Sequence, residues 1–206
     1  MKKKYGIMGG TFDPIHMGHL FIAQSAMTEL NLDKVIFVPT GISPHKIEKD
    51  ISSPIDRYIM TAMAINSNES FHVSPIEINK NSPSYTIETV KDLLSIEKNV
   101  DFYFITGADS FISLETWKDF EDLFKIITFV VVTRPGSSNE ELDQKIIFFM
   151  EKYGAKVEKV VVPSLEISST DIRNRVSNGK TIRYLVHDDV EKYINKNRLY
   201  LHNNID

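Results

Sequence analysis

The sequence predicts an α/β fold: a doubly wound, mostly parallel sheet with helices on both faces, followed beyond about residue 165 by a small C-terminal helical lobe. Three observations lead there. Short β-rich runs alternate with amphipathic helical stretches along the chain. Most stretches between successive runs are long enough for right-handed crossovers between parallel strands and too long for tight hairpins. Finally, 206 residues of which 42% are hydrophobic supply apolar material for a sizeable core.

The elements follow in order. Tyr5 to Met8 is short and apolar and stops at the pair Gly9-Gly10. From Met17 to Leu30 the residues Leu20, Ile22, Ala23, Ala26, Met27 and Leu30 recur at helical spacing. Val35 to Val38 reads as a buried strand ended by Pro39. Ser53-Pro54 starts a helix running through Ile65, with Ser as cap and Pro in the first turn. Phe71 to Ile78 reads as a strand, Thr86 to Ser95 as a helix, and Asp101 to Thr106 as a strand ahead of Gly107. Ile126 to Val132 is the most β-rich run and closes at Arg134-Pro135-Gly136. Glu140 to Tyr153 is helical, its acidic start being a solvated face, and Val157 to Val162 is a strand. Ser169 to Val176 and Asp188 to Lys196 are the helices of the lobe.

Composition excludes several function classes. Lys plus Arg number 24 against 28 Asp plus Glu, a net charge of −4. That balance lacks the basic footprint expected of a nucleic-acid binder or a protein held to anionic membranes. Cysteine is absent, which rules out disulfides, thiolate metal sites, iron–sulfur clusters and cysteine nucleophiles. No apolar run approaches the roughly 20 residues of a membrane span. The basic start Met1-Lys2-Lys3-Lys4 is followed by an apolar stretch cut at once by Gly9, Gly10 and Asp13, so no signal-peptide core forms. A cytoplasmic, soluble protein is expected.

In doubly wound sheets ligands sit beyond the carboxyl ends of the strands. The first such segment is Gly9-Gly10-Thr11-Phe12-Asp13-Pro14-Ile15-His16-Met17-Gly18-His19. The glycine pair lets the backbone turn and approach a ligand closely. Pro14 disfavours helix at the residue before it, so a helix is expected to begin after Asp13, with His16 and His19 facing the same way near its first turns. Gly18 between them leaves room for something bulky. Exposed amides at a helix start with two imidazoles suit a polyphosphate. Lone histidines usually cap or pack, but this spacing beside Gly-Gly-Thr favours function. A zinc site is disfavoured, since helical metal pairs more often stand four apart and no third ligand is near. The Walker pattern is absent.

This run resembles the signature of the nucleotidyltransferases with an H-x-G-H motif, relatives of the class I aminoacyl-tRNA synthetases. Further segments narrow the resemblance: Pro44-His45-Lys46, Ser84-Tyr85-Thr86, Gly107-Ala108-Asp109, Trp117, Arg134-Pro135-Gly136 and Ile167-Ser168-Ser169-Thr170-Asp171-Ile172-Arg173. Separately, each has a bland alternative: Lys46 as a solvated lysine, Trp117 as a core aromatic, Ser168 to Asp171 as a simple helix cap, Asp109 as a cap of a short helix. Together, and with the ending from Leu185 to Tyr200, they are similar over nearly the whole chain to the bacterial nicotinate mononucleotide adenylyltransferases. Ser43 departs from the pattern where a second proline is expected, which bears on loop shape and not on the chemistry.

The resemblance implies a single nucleotidyltransferase domain over 1–206, with a Rossmann-like core to about 165 and the lobe from about 166. It implies an enzyme of NAD biosynthesis that transfers an adenylyl group from ATP to nicotinate mononucleotide. ATP would be held by Gly9, Gly10, Thr11, Phe12, His16, His19, Gly107, Asp109, Ile167, Ser168, Ser169 and Arg173. The pyridine mononucleotide would be held by His45, Lys46, Tyr85, Thr86, Trp117 and Arg134, with the indole stacked on its ring. Backbone amides around Tyr85 and Thr86 would receive the nicotinate carboxylate. His16, His19, Lys46 and Arg173 would carry the catalysis.

A phosphate nucleophile is already ionised near neutral pH, so no general base is needed, and Mg²⁺ is expected on the ATP phosphates and not in a protein site. A helix N-terminus disfavours imidazolium whereas bound polyphosphate favours it, and the phosphate charge is expected to prevail in the complex. ATP and nicotinate mononucleotide are the expected partners, without nucleic acid or membrane, and a homodimer is left open. The competing readings are phosphopantetheine adenylyltransferase, a non-catalytic nucleotide-binding regulator and a synthetase fragment. The last is disfavoured by the acidic balance.

Overall fold

The structure is a computed structural model and describes residues 2–42, 51–136 and 139–201. Six strands form one parallel sheet: β1 (Lys3–Gly10), β2 (Lys34–Pro39), β3 (Phe71–Val73), β4 (Val100–Gly107), β5 (Thr128–Thr133) and β6 (Lys156–Val161). Their spatial order is β3-β2-β1-β4-β5-β6. The chain thus winds outward from β1 in one direction and then, from β4, in the other. The reversal falls between β1 and β4, where Ile7 lies opposite Phe104 on one side and Ile36 on the other. This is the topological switch point at which such sheets leave a crevice beyond the strand ends.

Strand side chains alternate between two cores. Val35 and Phe37 point to one and Ile36 and Val38 to the other. The first core is covered by α1 (Met17–Leu30), α2 (Pro54–Ile65), α7 (Ser169–Ser177) and α8 (Asp188–Asn197). The second lies under α3 (Thr86–Ile96), α4 (Ala108–Ile112), α5 (Phe120–Ile126) and α6 (Glu140–Tyr153), and is rich in phenylalanine, with Phe102, Phe111, Phe124, Phe129 and Phe149 buried together. The helices expected to form a C-terminal lobe bury Ile172, Val190 and Ile194 in the same cluster as Val35, Phe37 and Val130.

Several expected boundaries move. Helix α1 runs from Met17 to Leu30 as its apolar spacing predicts, but the stretch from Pro14 to His16 that follows Asp13 is not yet helical, and His16 is the extended N-cap. The strand read over Phe71 to Ile78 is only Phe71–Val73. Its pairing ends where Ser74 donates to the Phe37 carbonyl at 2.9 Å: Pro39 of β2 has no N–H to offer Ser74 O, and the next donor on this side, Ile76 N–H, turns to Ser74 Oγ at 3.4 Å. The chain then turns, with Asn79 N–H on Pro75 O and Lys80 N–H on Glu77 O, each at 3.1 Å. Ile126 closes a helix instead of opening a strand, since Ile127 N–H bonds Leu123 O at 3.1 Å and β5 starts at Thr128. Between β4 and β5 lie α4, a 3₁₀ turn over Leu114–Thr116 and α5, none of which the hydrophobic period had indicated. The short helix after β4 is capped by Gly107, not by Asp109, which sits in its first turn.

Candidate active site

A cleft of about 860 Å³ opens beyond the carboxyl ends of the strands at the switch point. From the first loop it is lined by Gly9, Gly10, Thr11 and His19, from the start of α3 by Tyr85 just before it and Thr86, and from the end of β4 onward by Gly107, Asp109 and Trp117, with Arg134 following β5. The fold therefore gathers ten of the expected site residues around one space. Its volume suits a ligand of the size that pockets of 300–1,000 Å³ hold.

The two histidines occupy different depths. His19 lines the cleft, whereas His16 is buried beneath it, and their rings stack at 3.6 Å with 23° between planes. The backbone N–H of His16 donates to Nδ1 of His19 at 3.2 Å. In its neutral form His19 must then carry its proton on Nε2, the remaining nitrogen, so this ring presents a donor. Burial lowers the His16 pKa to about 4. Burial, and secondarily the neighbouring His16, hold His19 well below the usual histidine range. Both imidazoles are neutral in the free protein near pH 7. Among the described residues His16 Nδ1 has no hydrogen-bond partner although it is buried.

Gly18 lines the cleft beside His19, and a Cβ at this position would stand 3.1 Å from His16 Nδ1 and 3.2 Å from its Cε1, so the missing side chain also leaves room for the His16 ring. Phe12 is 2% exposed, holds φ at 51° and sets its ring edge-on to His19 at 5.0 Å. A left-handed backbone at a bulky residue costs about 1–2 kcal/mol, which the burial of its ring against His19 and Phe37 offsets.

At the other end of the cleft, Tyr85 precedes α3 without a side-chain cap; Glu88 N–H bonds Tyr85 O at 3.0 Å, which leaves the Thr86 and Ile87 amides for an anion. Trp117 is half-buried and lies edge-on to Phe104 at 5.8 Å. Lys118 donates to Glu88 Oε1 at 2.7 Å and lies over the Tyr85 ring at 4.4 Å, tying the tryptophan corner to the start of α3.

Of the other expected residues, those among the described ones do not line the cleft. Ser168 caps α7 by accepting Asp171 N–H at 3.1 Å. Ser169 Oγ donates to Pro14 O at 2.9 Å, and Arg173 Nη1 donates to Asp13 O at 2.8 Å. Ile167 is partly buried against the first core and reaches the neighbourhood of Gly18. His45 and Lys46 lie outside the described residues.

Sequence reasoning missed a set of buried polar residues. Arg57, 2% exposed, donates to Thr11 O at 2.7 Å, Ser52 O at 3.1 Å and Gly41 O at 3.2 Å, joining three loops. Glu77 lines the cleft while buried. Its carboxyl accepts Thr89 Oγ1–H at 2.7 Å, and burial raises its pKa. Gly41 runs so close to this segment that a Cβ would fall 2.3 Å from Glu77 O. Asp13, also 2% exposed, accepts the Tyr200 hydroxyl at 2.7 Å and, at 3.4 Å, Ser52 N–H. No spacing signal marks these charges as buried.

Comparison with known proteins bears on the cleft. The profile of the cytidylyltransferase-like family matches residues 7–175. The chain is 47% identical over 198 residues to a probable nicotinate-nucleotide adenylyltransferase of Thermoanaerobacter sp., covering 96% of this chain and 94% of the relative. It is 43% identical to one of Desulfitobacterium hafniense, covering 96% of both. Among solved structures it superposes on a Plasmodium falciparum nicotinic acid mononucleotide adenylyltransferase complexed with NaAD, with a TM-score of 0.75 at 22% identity, covering 96% of this chain and 97% of the other.

Proposed function

The chain belongs to the cytidylyltransferase-like family and, within it, to the nicotinate-nucleotide adenylyltransferases, and from that premise we propose that it transfers the adenylyl group of ATP to nicotinate mononucleotide. The mononucleotide's phosphate oxygen bonds to the α-phosphorus while the bond to the bridging oxygen of the leaving pyrophosphate breaks. The products are nicotinate adenine dinucleotide and pyrophosphate. The observation that carries this reading is that His19, beyond β1, and the Tyr85, Thr86 and Trp117 cluster face one continuous cleft. That arrangement can align two anions for in-line attack.

His19 acts on the transferring phosphoryl group, offering Nε2–H to an oxygen whose charge grows in the transition state. His16 and Arg173 serve the polyphosphate, Arg173 through the guanidinium N–H groups that Asp13 and Thr170 leave over. Lys46 serves the attacking phosphate. Gly9, Gly10, Thr11, Phe12, Gly107, Asp109, Ile167, Ser168 and Ser169 shape the ATP side, and His45 and Arg134 the mononucleotide side. Bound polyphosphate pulls the histidine pKa values against burial, and its charge prevails in the complex.

Mg²⁺ arrives with ATP as part of the substrate, shared among phosphate oxygens. Among the described residues no group of three His, Asp or Glu stands where it would hold a metal. No described helix is long and apolar enough to cross a membrane, and we place the activity in the cytoplasm.

The start of α3 favours a carboxylate over a carboxamide, because uncapped amides and the helix dipole attract negative charge. The test is pyrophosphate release with ATP, Mg²⁺ and a panel of acceptors. Nicotinate mononucleotide should turn over. Equal efficiency with nicotinamide mononucleotide would remove the preference for the acid, and turnover of phosphopantetheine alone would replace the reading.

A further inference from the structure

The first loop is fastened from outside by residues far along the chain. Ser169 Oγ holds Pro14 O, Arg173 Nη1 holds Asp13 O, and Leu185 O accepts Met17 N–H at 2.9 Å. Beyond α8, Tyr200 completes the set by donating its hydroxyl to Asp13 Oδ1 at 2.7 Å. Its ring packs against the first core and its backbone sits at φ 63°. Tyr200 belongs to no segment expected to touch either substrate.

We infer that Tyr200 is a positioning residue for adenylyl transfer, its hydroxyl fixing the Asp13 carboxylate and with it the loop that presents His16 and His19 and that holds Arg173 of α7 through Asp13 O. This rests on the reading of the cleft given above. Asp13 is a buried carboxylate, and such a group keeps one geometry only while its lone pairs are occupied. Tyr200 supplies its one short hydrogen bond among the described residues, the Ser52 amide being 3.4 Å away and Arg173 Nη1 4.0 Å from Oδ2. Asp13 O in turn holds Arg173 Nη1. Loss of the phenol hydroxyl frees the Asp13 side chain to turn toward Arg57 or Arg173, drawing the guanidinium away from where a polyphosphate would lie.

The fold provides a matched control. Tyr193 on α8 also packs against the first core, and its hydroxyl also donates to a carboxylate, Asp56 Oδ1 at 2.8 Å. That bond ties α8 to α2 and does not touch the first loop. Tyr200→Phe and Tyr193→Phe each remove one hydroxyl and leave a ring. Melting temperature and the separate kcat and KM for ATP would be measured for both beside the unaltered protein. Both variants should lose similar thermal stability, but only Tyr200→Phe should lose kcat, by about tenfold, which is the effect of about 1.4 kcal/mol. If both variants melt lower and kcat is the same in both, Tyr200 is a structural tie only and the inference fails. If the unaltered protein releases no pyrophosphate with nicotinate mononucleotide, the functional reading fails instead. In that case Tyr200→Phe should still lower ATP affinity in a binding titration while Tyr193→Phe does not, and equal affinity would overturn the inference independently.

Discussion

Replacing His16 by a side chain that does not titrate should change how stability depends on pH. The folded protein holds His16 at a pKa of about 4 by burial, against 6.5 for an exposed histidine. Between those values the unfolded chain binds a proton that the folded chain refuses. Stability therefore rises with pH across this window. The contribution is complete above the unfolded value and is lost as pH falls through the folded one. At about 1.4 kcal/mol per unit, the whole shift corresponds to about 3 kcal/mol, of which about 2 kcal/mol is lost by pH 5. Urea unfolding of the unaltered protein and of His16→Asn, at pH 8, 6 and 5, isolates the term. His72, also lowered chiefly by burial, and the carboxylates titrate in both proteins and cancel in the difference. The unaltered protein should lose about 2 kcal/mol more than the variant between pH 8 and pH 5. Easing of the like-charge effect on His19 in the variant adds to the gap. Parallel curves would refute the claim that a buried, neutral His16 underlies the site.

Other substitutions address the remaining parts of the site. His19→Ala removes the cleft-facing Nε2–H and should lower kcat about 10²–10³-fold with the circular dichroism spectrum unchanged, as followed by pyrophosphate release. Near-normal turnover would reassign the donor. Gly41→Ala places a methyl 2.3 Å from Glu77 O, a backbone contact that cannot rotate away, and should destabilise by about 1–3 kcal/mol in urea titrations. Trp117→Ala should raise KM for nicotinate mononucleotide about tenfold or more while KM for ATP holds, as loss of a ring stacking worth about 1–3 kcal/mol requires. An equal rise for both substrates would place the indole elsewhere in the mechanism.

The long amphipathic elements were legible because their periodicity persists over several turns or a whole strand. Helix α3 shows this, since Ile87, Val90 and Leu93 are buried along one face where the apolar spacing put them. Helices α4 and α5, of five and seven residues, are too short to express a helical period, and the intervening 3₁₀ turn has a different one. Strand β3 was overextended because Ile76 and Ile78 continue an alternating pattern, while Pro39 of β2 has no N–H for Ser74 O and Ile76 N–H leaves the ladder for Ser74 Oγ. Within the site, Gly-Gly-Thr and the histidine pair were recognisable from chemistry and spacing, and Ser-Tyr-Thr only through the family resemblance. Arg57, Glu77 and Asp13 were not. Their partners are backbone carbonyls, a threonine, a tyrosine and an amide drawn from distant parts of the chain, and only the fold says which charges are enclosed.

Trp117 is the sole tryptophan of the chain and stands at the rim of the cleft. Its emission is therefore an intrinsic optical reporter, uncontaminated by any second indole. A pyridine ring laid on that surface should quench the fluorescence, so occupancy of the acceptor half can be titrated without a label and in the absence of turnover. Nucleotide confined to the phosphate half should leave the signal nearly constant, which makes the order of substrate addition readable from one spectroscopic trace.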